Sequence, residues 1–357
     1  MALLTDQFRI FTAERFIKAL EGADASQSDL EAGTSRDRLY VFIGRPQEWD
    51  NENAPPTPVD SFQEFSDTFA DMISLKRVLA NDTIQVVRRI DWTPPEQTTG
   101  GLGYVYDMYR HDYSINSQSP VSKSSRLYDA NYYVINENFN VYICIDNGSS
   151  GTNLTGNVSK DEPTFTDLEP TAAGTSGDGY VWKYLFSVAP SDIIKFDSTE
   201  YVVVPNDWAT STDSQILSVR EAGDSDINLN QIKKVYIDNG GSNYSSGVVN
   251  INGDGTGAKV SIEVDSAGTI TSAIMTAGGS GYTYGIVDLG SLQPSGTLSD
   301  PAKLIPIIPP SKGHGYDIYT ELGTDKVLVY ARFDDSTRDF PVDTRSVSYT
   351  HLRAHET

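Results

Sequence analysis

Proton transfer, nucleophilic attack and metal ligation fall to histidine, cysteine and carboxylate side chains, and this chain of 357 residues holds four histidines, one cysteine and 49 acidic residues. With Cys144 alone, no intramolecular disulfide forms and no thiolate zinc site can be assembled from the chain itself. His111 sits beside Asp107 and Asp112, a set that admits metal ligation with carboxylate help; a solvated polar loop is the simpler reading. His314, in Lys312-Gly-His-Gly-Tyr316, reads as a turn residue. The run Asn252-Gly-Asp-Gly-Thr-Gly257 superficially resembles a calcium loop, yet it lacks the spaced acidic ligands and terminal bidentate glutamate. There is no phosphate loop ending in Gly-Lys-Ser/Thr, no dinucleotide fingerprint, no His-Glu-x-x-His and no nucleophile elbow. A glycosidase-type carboxylate pair is a spatial arrangement, and nothing in the sequence singles one out. The residues call for no catalyst, no cofactor and no metal.

The remaining histidines, His351 and His355, lie in the last eleven residues, Val347 to Thr357. That stretch reads as one-frame translation of a sequencing-library adapter and is set aside, so the natural sequence is expected to diverge near Ser346. Net charge is 27 − 49 = −22. Such a charge opposes non-specific nucleic-acid binding, which depends on cationic neutralisation of phosphates. Apolar runs fall far short of the roughly 20 residues that span a bilayer, and the polar residues between Met1 and Phe11 do not read as a signal peptide. Neither nucleic acid nor membrane is expected as a partner.

The elements that would hold such residues are mainly strands. At roughly 150 residues per domain, the length suggests about two domains or one large β domain with insertions. Residues 1–95 are expected to form a helical and extended N-terminal region. Phe16, Ile17 and Leu20 have helical spacing with Gly22 as a stop, and Leu39–Ile43 reads as a strand. Phe62, Phe65, Phe69 and Met72 or Ile73, followed by Lys76 and Leu79, predict a second helix capped by Asp60 or Ser61. Residues 96–230 carry strand-like runs at 132–135, 141–145, 180–186 and 201–204, separated by long polar loops such as 146–178 that tend to carry contacts.

Residues 231–300 contain a repeat. Gly240-Gly-Ser-Asn-Tyr244 recurs as Gly278-Gly-Ser-Gly-Tyr282, an offset of 278 − 240 = 38. Each copy lies between short apolar runs, which predicts strand, glycine turn and strand in an inserted glycine-rich β module. Residues 301–346 return as a further β segment through Lys326–Tyr330. The fold class is mainly β (α+β): a layered β-sandwich with helix-containing loops near the N-terminus and the inserted repeat module.

Four motifs occur in order. The first is Phe42-Ile-Gly44-Arg45-Pro-Gln-Glu-Trp49-Asp-Asn51-Glu52-Asn53-Ala-Pro55-Pro56-Thr-Pro-Val-Asp60-Ser61, with the helix ending in Lys76-Arg-Val-Leu79 behind it. Val87-Arg88-Arg89-Ile-Asp91-Trp92 follows, then Gly177-Asp178-Gly179-Tyr180-Val-Trp182-Lys-Tyr-Leu-Phe186, then Glu200-Tyr201-Val-Val-Val-Pro205. Over residues 1 to about 210 this resembles the gene product 8 family of baseplate wedge proteins of T-even-type bacteriophages. The resemblance implies a layered β-sandwich, a homodimer within each wedge, contacts with other wedge and peripheral baseplate proteins, and no enzymatic activity. The 231–300 repeat departs from the family pattern.

Trp49, Trp92, Trp182 and Trp208 are candidate interface anchors, with core the better reading for Trp182. Lys76, Arg77, Arg88 and Arg89 form a basic cluster that is either a patch for an acidic partner or a locally paired face. A carbohydrate-binding or depolymerising tail component is the competing reading, in which Tyr244 and Tyr282 are exposed and stack on sugars.

Overall fold

A computed structural model describes residues 5–24, 39–43, 51, 53–54, 72, 74–113, 122–223, 231–293 and 300–334. In chain order its elements are α1 (Asp6–Asp24), β1 (Leu39–Ile43), β2 (Ser74–Val78), β3 (Thr83–Arg88), β4 (Tyr133–Ile135), β5 (Asn140–Asn147), β6 (Tyr180–Ser187), α2 (Pro190–Phe196), β7 (Tyr201–Val204) and α3 (Ser214–Gly223). There follow β8 (Val235–Asn239), β9 (Gly247–Gly253), β10 (Thr256–Val264), β11 (Ile270–Ser280), β12 (Gly285–Val287), β13 (Lys303–Pro306), α4 (Ile318–Leu322) and β14 (Lys326–Val329). The protein is mainly β, with its strands in several small antiparallel sheets. The chain divides into two units, 1–10 with 86–324 and 11–85 with 325–357.

In the second unit, β1 and β2 pair antiparallel from Leu39↔Val78 to Ile43↔Ser74. This corrects the predicted helix at its C-terminal end, since Ser74–Val78 is a strand. The alternation of Ser74 and Val78 with exposed Leu75 fits a strand as well as a helix, and pairing with β1 decides between them. Phe62, Phe65 and Phe69 lie outside the described residues. Lys76 Nζ donates to the Arg332 carbonyl at 2.6 Å, and Tyr330 N–H to that of Asp82 at 2.8 Å. In α1, Ile10, Ala13, Ile17 and Leu20 are buried at three- and four-residue spacing. Gly22 lies inside this helix instead of ending it.

In the first unit, β5 lies between β4 and β6. Tyr133↔Ile143 and Tyr142↔Tyr184 set the register, and it shifts twice between β5 and β6, at Leu185 of β6 and at Ile145 of β5. Nearly the whole of β5 and β6 is buried, which is why both read as long apolar runs. Lys183 is buried there too, its Nζ turned to the Leu168 carbonyl, and burial pulls its pKa down.

The repeat sequences exchange strands. β8 and β9 belong to the first copy, with β10 as its third strand; β11, β12 and β13 are their counterparts. β10 pairs with β11, and β13 with β8, so each copy donates its third strand to the other. β9 and β12 pair antiparallel between them. β8 lies beside β11 and β12 beside β13, so the six strands wrap one core that includes Val235, Ile237, Val249, Val260, Ile262 and Ile270. The hydrogen bonds repeat the exchange. Ile270 N donates to Gly240 O and Ile232 N to Gly278 O, both at 3.0 Å, and 270 − 232 = 38.

The Gly-Gly-Ser-x-Tyr copies are one device used twice. Gly241 and Gly279 have φ +59° and +65°, and two residues on, Asn243 and Gly281 have +65° and +75°. Asparagine tolerates the left-handed region better than other non-glycine residues, which explains the one difference between the copies. A methyl on Gly241 would come within 2.8 Å of the Tyr244 ring and 2.6 Å of Ala302 N. On Gly279 it would meet the Tyr282 ring and Ala258 N at the same two distances. Each tyrosine hydroxyl accepts the corresponding amide, Ala302 N–H at 2.9 Å and Ala258 N–H at 3.2 Å. The third strands are thus offset by 302 − 258 = 44, six more than 38, so the second copy carries a six-residue insertion.

Candidate functional site

The signature residues of the first unit converge on one aromatic core. Gly179, at φ +87°, approaches the Gly148 backbone so closely that a Cβ would lie 2.9 Å from Gly148 Cα. Asp178 Oδ2 accepts Lys160 N–H at 2.8 Å, and Oδ1 accepts Tyr180 N–H at 3.0 Å. That lock aims Tyr180 inward, where its ring stacks on Trp182 at 5.3 Å and its hydroxyl accepts Tyr106 N–H at 2.8 Å. Tyr106 sits edge-on to Trp182 at 5.8 Å and reaches back to the next motif, accepting Thr93 N–H at 3.0 Å and lying 3.2 Å from the Asp91 carbonyl. Desolvation pushes the Tyr106 phenol up to about 12. Trp92 closes the ring by donating Nε1–H to Ser159 Oγ at 3.0 Å.

The arginines of Val87–Trp92 are structural clamps. Arg88 donates to the Ala130 carbonyl at 3.1 Å and Asn131 Oδ1 at 2.9 Å; Arg89 pairs with Asp91 at 2.9 Å and Asp197 at 3.2 Å. Arg88, Arg89 and Lys76 are therefore locally engaged, as one of the two sequence readings expects. β7 carries Tyr201, and Pro205 just beyond it gives its carbonyl to Tyr319 Oη–H at 2.6 Å. Trp208 is buried, with Nε1 donating to the Gly315 carbonyl at 3.0 Å. Trp92, Trp182 and Trp208 are thus core residues of this chain. Asn51 accepts Asn53 N–H on its side chain at 3.0 Å, while Gly44, Arg45, Trp49, Glu52, Pro55, Pro56 and Asp60 lie outside the described residues.

The candidate ligands for chemistry have structural partners. His111 Nδ1 accepts Ile308 N–H at 3.1 Å, and burial lowers its pKa. His314 Nδ1 is bonded to Glu321 Oε1, while Oε2 of that fully buried carboxylate accepts Gly315 N–H at 2.7 Å. Sequence spacing signals the His314 turn but not its buried acid. Asp254, in the calcium-like run, accepts the Thr283 hydroxyl first of all, and also Thr283 N–H at 2.9 Å and Tyr284 N–H at 3.2 Å, bonds that hold its pKa down at about 2. Cys144 is buried and its thiol pKa is raised by desolvation. Among the described residues, no group of three or more histidine, cysteine or carboxylate side chains is arranged to hold a metal.

Tyr244 and Tyr282 overturn the sugar-stacking expectation. Both are buried, with their hydroxyls engaged inside the repeat core, so neither ring can offer a face to a glycan.

What sequence reasoning leaves undefined is the role of the long loop after β5. Residues 147–156 form the seat of the strand-exchanged repeats. Gly151 N donates to Thr271 O at 2.9 Å, and the Leu154 carbonyl accepts Tyr236 Oη–H at 3.1 Å. Lys234 pairs with Asp146 at 2.6 Å and donates to the Ser149 carbonyl at 3.0 Å. Arg110 lies 4.0 Å over the Tyr236 ring.

The family model described as Bacteriophage T4, Gp8 matches residues 160–236. Baseplate wedge protein gp8 of Enterobacteria phage T4 is 28% identical over 200 residues, which are 50% of this chain and 56% of that protein. The chain thus spans little more than half the length of the relative it matches. The resemblance to the gene product 8 family, read from four motifs, stands on both matches. No helix among the described residues is long and apolar enough to cross a membrane.

Proposed function

We propose that this chain is a structural subunit of a phage tail baseplate wedge, acting through protein–protein contacts in baseplate assembly. The carrying observation is the 200-residue likeness to the T4 wedge protein, together with the family match over 160–236. The matched stretch includes Asp178, Tyr180, Trp182 and Tyr201, so the likeness lies in the scaffold that fixes the shape of the first unit. A subunit of this kind works by rigid shape and by buried area at obligate contacts, and needs no catalytic group.

Within that reading the chain is a homodimer that binds other wedge and peripheral baseplate proteins, resides in the virion tail, and has no enzymatic activity. Mass spectrometry of purified tails tests the assignment, and the chain is expected there in a fixed ratio to other baseplate proteins. Infectious particles that lack it would refute the proposal. Light scattering of the purified chain tests the dimer, with twice the monomer mass expected and a monomer at micromolar concentration counting against it.

A further inference from the structure

The tetrapeptide Ile-Asp-Asn-Gly occurs twice, at 145–148 and 237–240, and a further Asn-Gly pair stands at 252–253. In such a pair the backbone nitrogen of glycine can attack the asparagine side chain, because glycine has no Cβ to obstruct the ring that forms. Both tetrapeptides make the same local turn. Asn147 Oδ1 accepts Ser149 N–H at 3.2 Å and Asn239 Oδ1 accepts Gly241 N–H at 3.1 Å, bonds that draw electron density from Cγ. Their surroundings differ. Asn147 is 4% exposed, and its Nδ2 donates to the Tyr106 carbonyl at 3.0 Å and the Thr155 carbonyl at 3.2 Å. Asn252 and Gly253 both lie inside β9, paired with Ile286 and Gly285, so ring closure there must first break the ladder. Asn239 is exposed and ends β8; a register shift at Asp238 separates it from the rest of the ladder, and Gly240 lies beyond the strand.

We propose that Asn239 is a site of spontaneous deamidation, a slow one-way modification that loosens the pairing of β8 with β13. The Gly240 nitrogen attacks Asn239 Cγ and gives up its proton; the Cγ–Nδ2 bond breaks and the side-chain nitrogen leaves as ammonia. Water then opens the cyclic imide at either carbonyl, leaving aspartate or isoaspartate. Water is the one co-reactant, and it reaches an exposed residue. The consequence follows from the neighbours. Asn239 Nδ2 donates to Asp300 Oδ1 at 2.9 Å and lies 3.4 Å from the Pro301 carbonyl. The oxygen that replaces it has no hydrogen to give and sets a second carboxylate against Asp300. Lys303, paired with Asn239 across the ladder, already holds Asp238 at 2.7 Å. The modified chain therefore loses a hydrogen bond and gains repulsion where β13 meets the end of β8.

The test is ageing of the purified full chain in mildly alkaline buffer, followed by peptide mapping by mass spectrometry. In the folded chain, amide-to-acid conversion at Asn239 should run about tenfold or more faster than at Asn147 and Asn252. In urea, where local sequence alone acts, Asn147 and Asn239 should convert at similar rates. A folded chain that converts Asn147 or Asn252 as fast as Asn239 overturns the proposal, as does one that keeps Asn239 intact while the unfolded chain converts it. The loosening is tested on Asn239→Asp, which supplies the product directly. Amide hydrogen exchange across Lys303–Ile305 should be about tenfold faster in that variant, while Asn239→Ser, which cannot deamidate, gains no charge and should show a smaller rise. Exchange in Asn239→Asp no faster than in Asn239→Ser overturns the loosening.

Discussion

At the scale of single residues, the side chains with the richest chemistry serve the fold. Trp182 illustrates this, packed between Tyr106 and Tyr180 with no exposed surface. Trp182→Ala is expected to cost about 3–5 kcal/mol through the cavity it leaves and to remove soluble expression; an unchanged melting temperature would contradict that placement. His111 gives a pH dependence with a definite sign. Burial lowers its folded pKa below the ordinary 6.5, so the unfolded chain takes up the proton first. Its contribution to stability is therefore complete above about pH 6.5 and is lost as pH falls through the folded value. The melting temperature should decline from that pH downward, and His111→Asn, which keeps an acceptor for Ile308 N–H, should flatten the decline. An identical slope in the variant would assign the effect elsewhere.

At the scale of elements, two glycines with similar backbone angles should respond differently to the same substitution. A methyl added to Gly177, at φ +68°, would meet nothing within 4 Å, so Gly177→Ala should cost only the left-handed penalty of about 1–2 kcal/mol. Gly279→Ala adds a clash with Ala258 N and the Tyr282 ring and should cost roughly 2–5 kcal/mol. Urea denaturation of the two variants compares them directly, and equal midpoints would refute the repeat device. The repeat was legible because glycine and tyrosine at fixed spacing have few other uses. That the copies trade third strands was not legible, because 38-residue spacing says nothing about which strand pairs with which. Ser74–Val78 shows the opposite failure: its local spacing suits a helix and a strand alike, and a partner strand more than 30 residues upstream decides between them. The catalytically empty reading rested on absent motifs. Partners such as Ser159 for Trp92, or Glu321 for His314, are set by the tertiary fold and leave no trace in spacing.

At the scale of the whole molecule, a charge of −22 works against compaction and against premature association. Between about 0.01 and 0.15 M salt the screening length falls from about 30 to about 8 Å. The melting temperature should therefore rise over that range; a flat response would mean that repulsion is already balanced by local pairs such as Arg89 with Asp91 and Asp197. The pairing of β8 with β13 has a different kind of consequence. The strand that enters the exchanged region is hydrogen-bonded to the strand that leaves it, and Ile307 N donates to Lys234 O at 2.8 Å. Entrance and exit share one doorway. A segment built in this way can be inserted, removed or replaced without stretching the chain on either side.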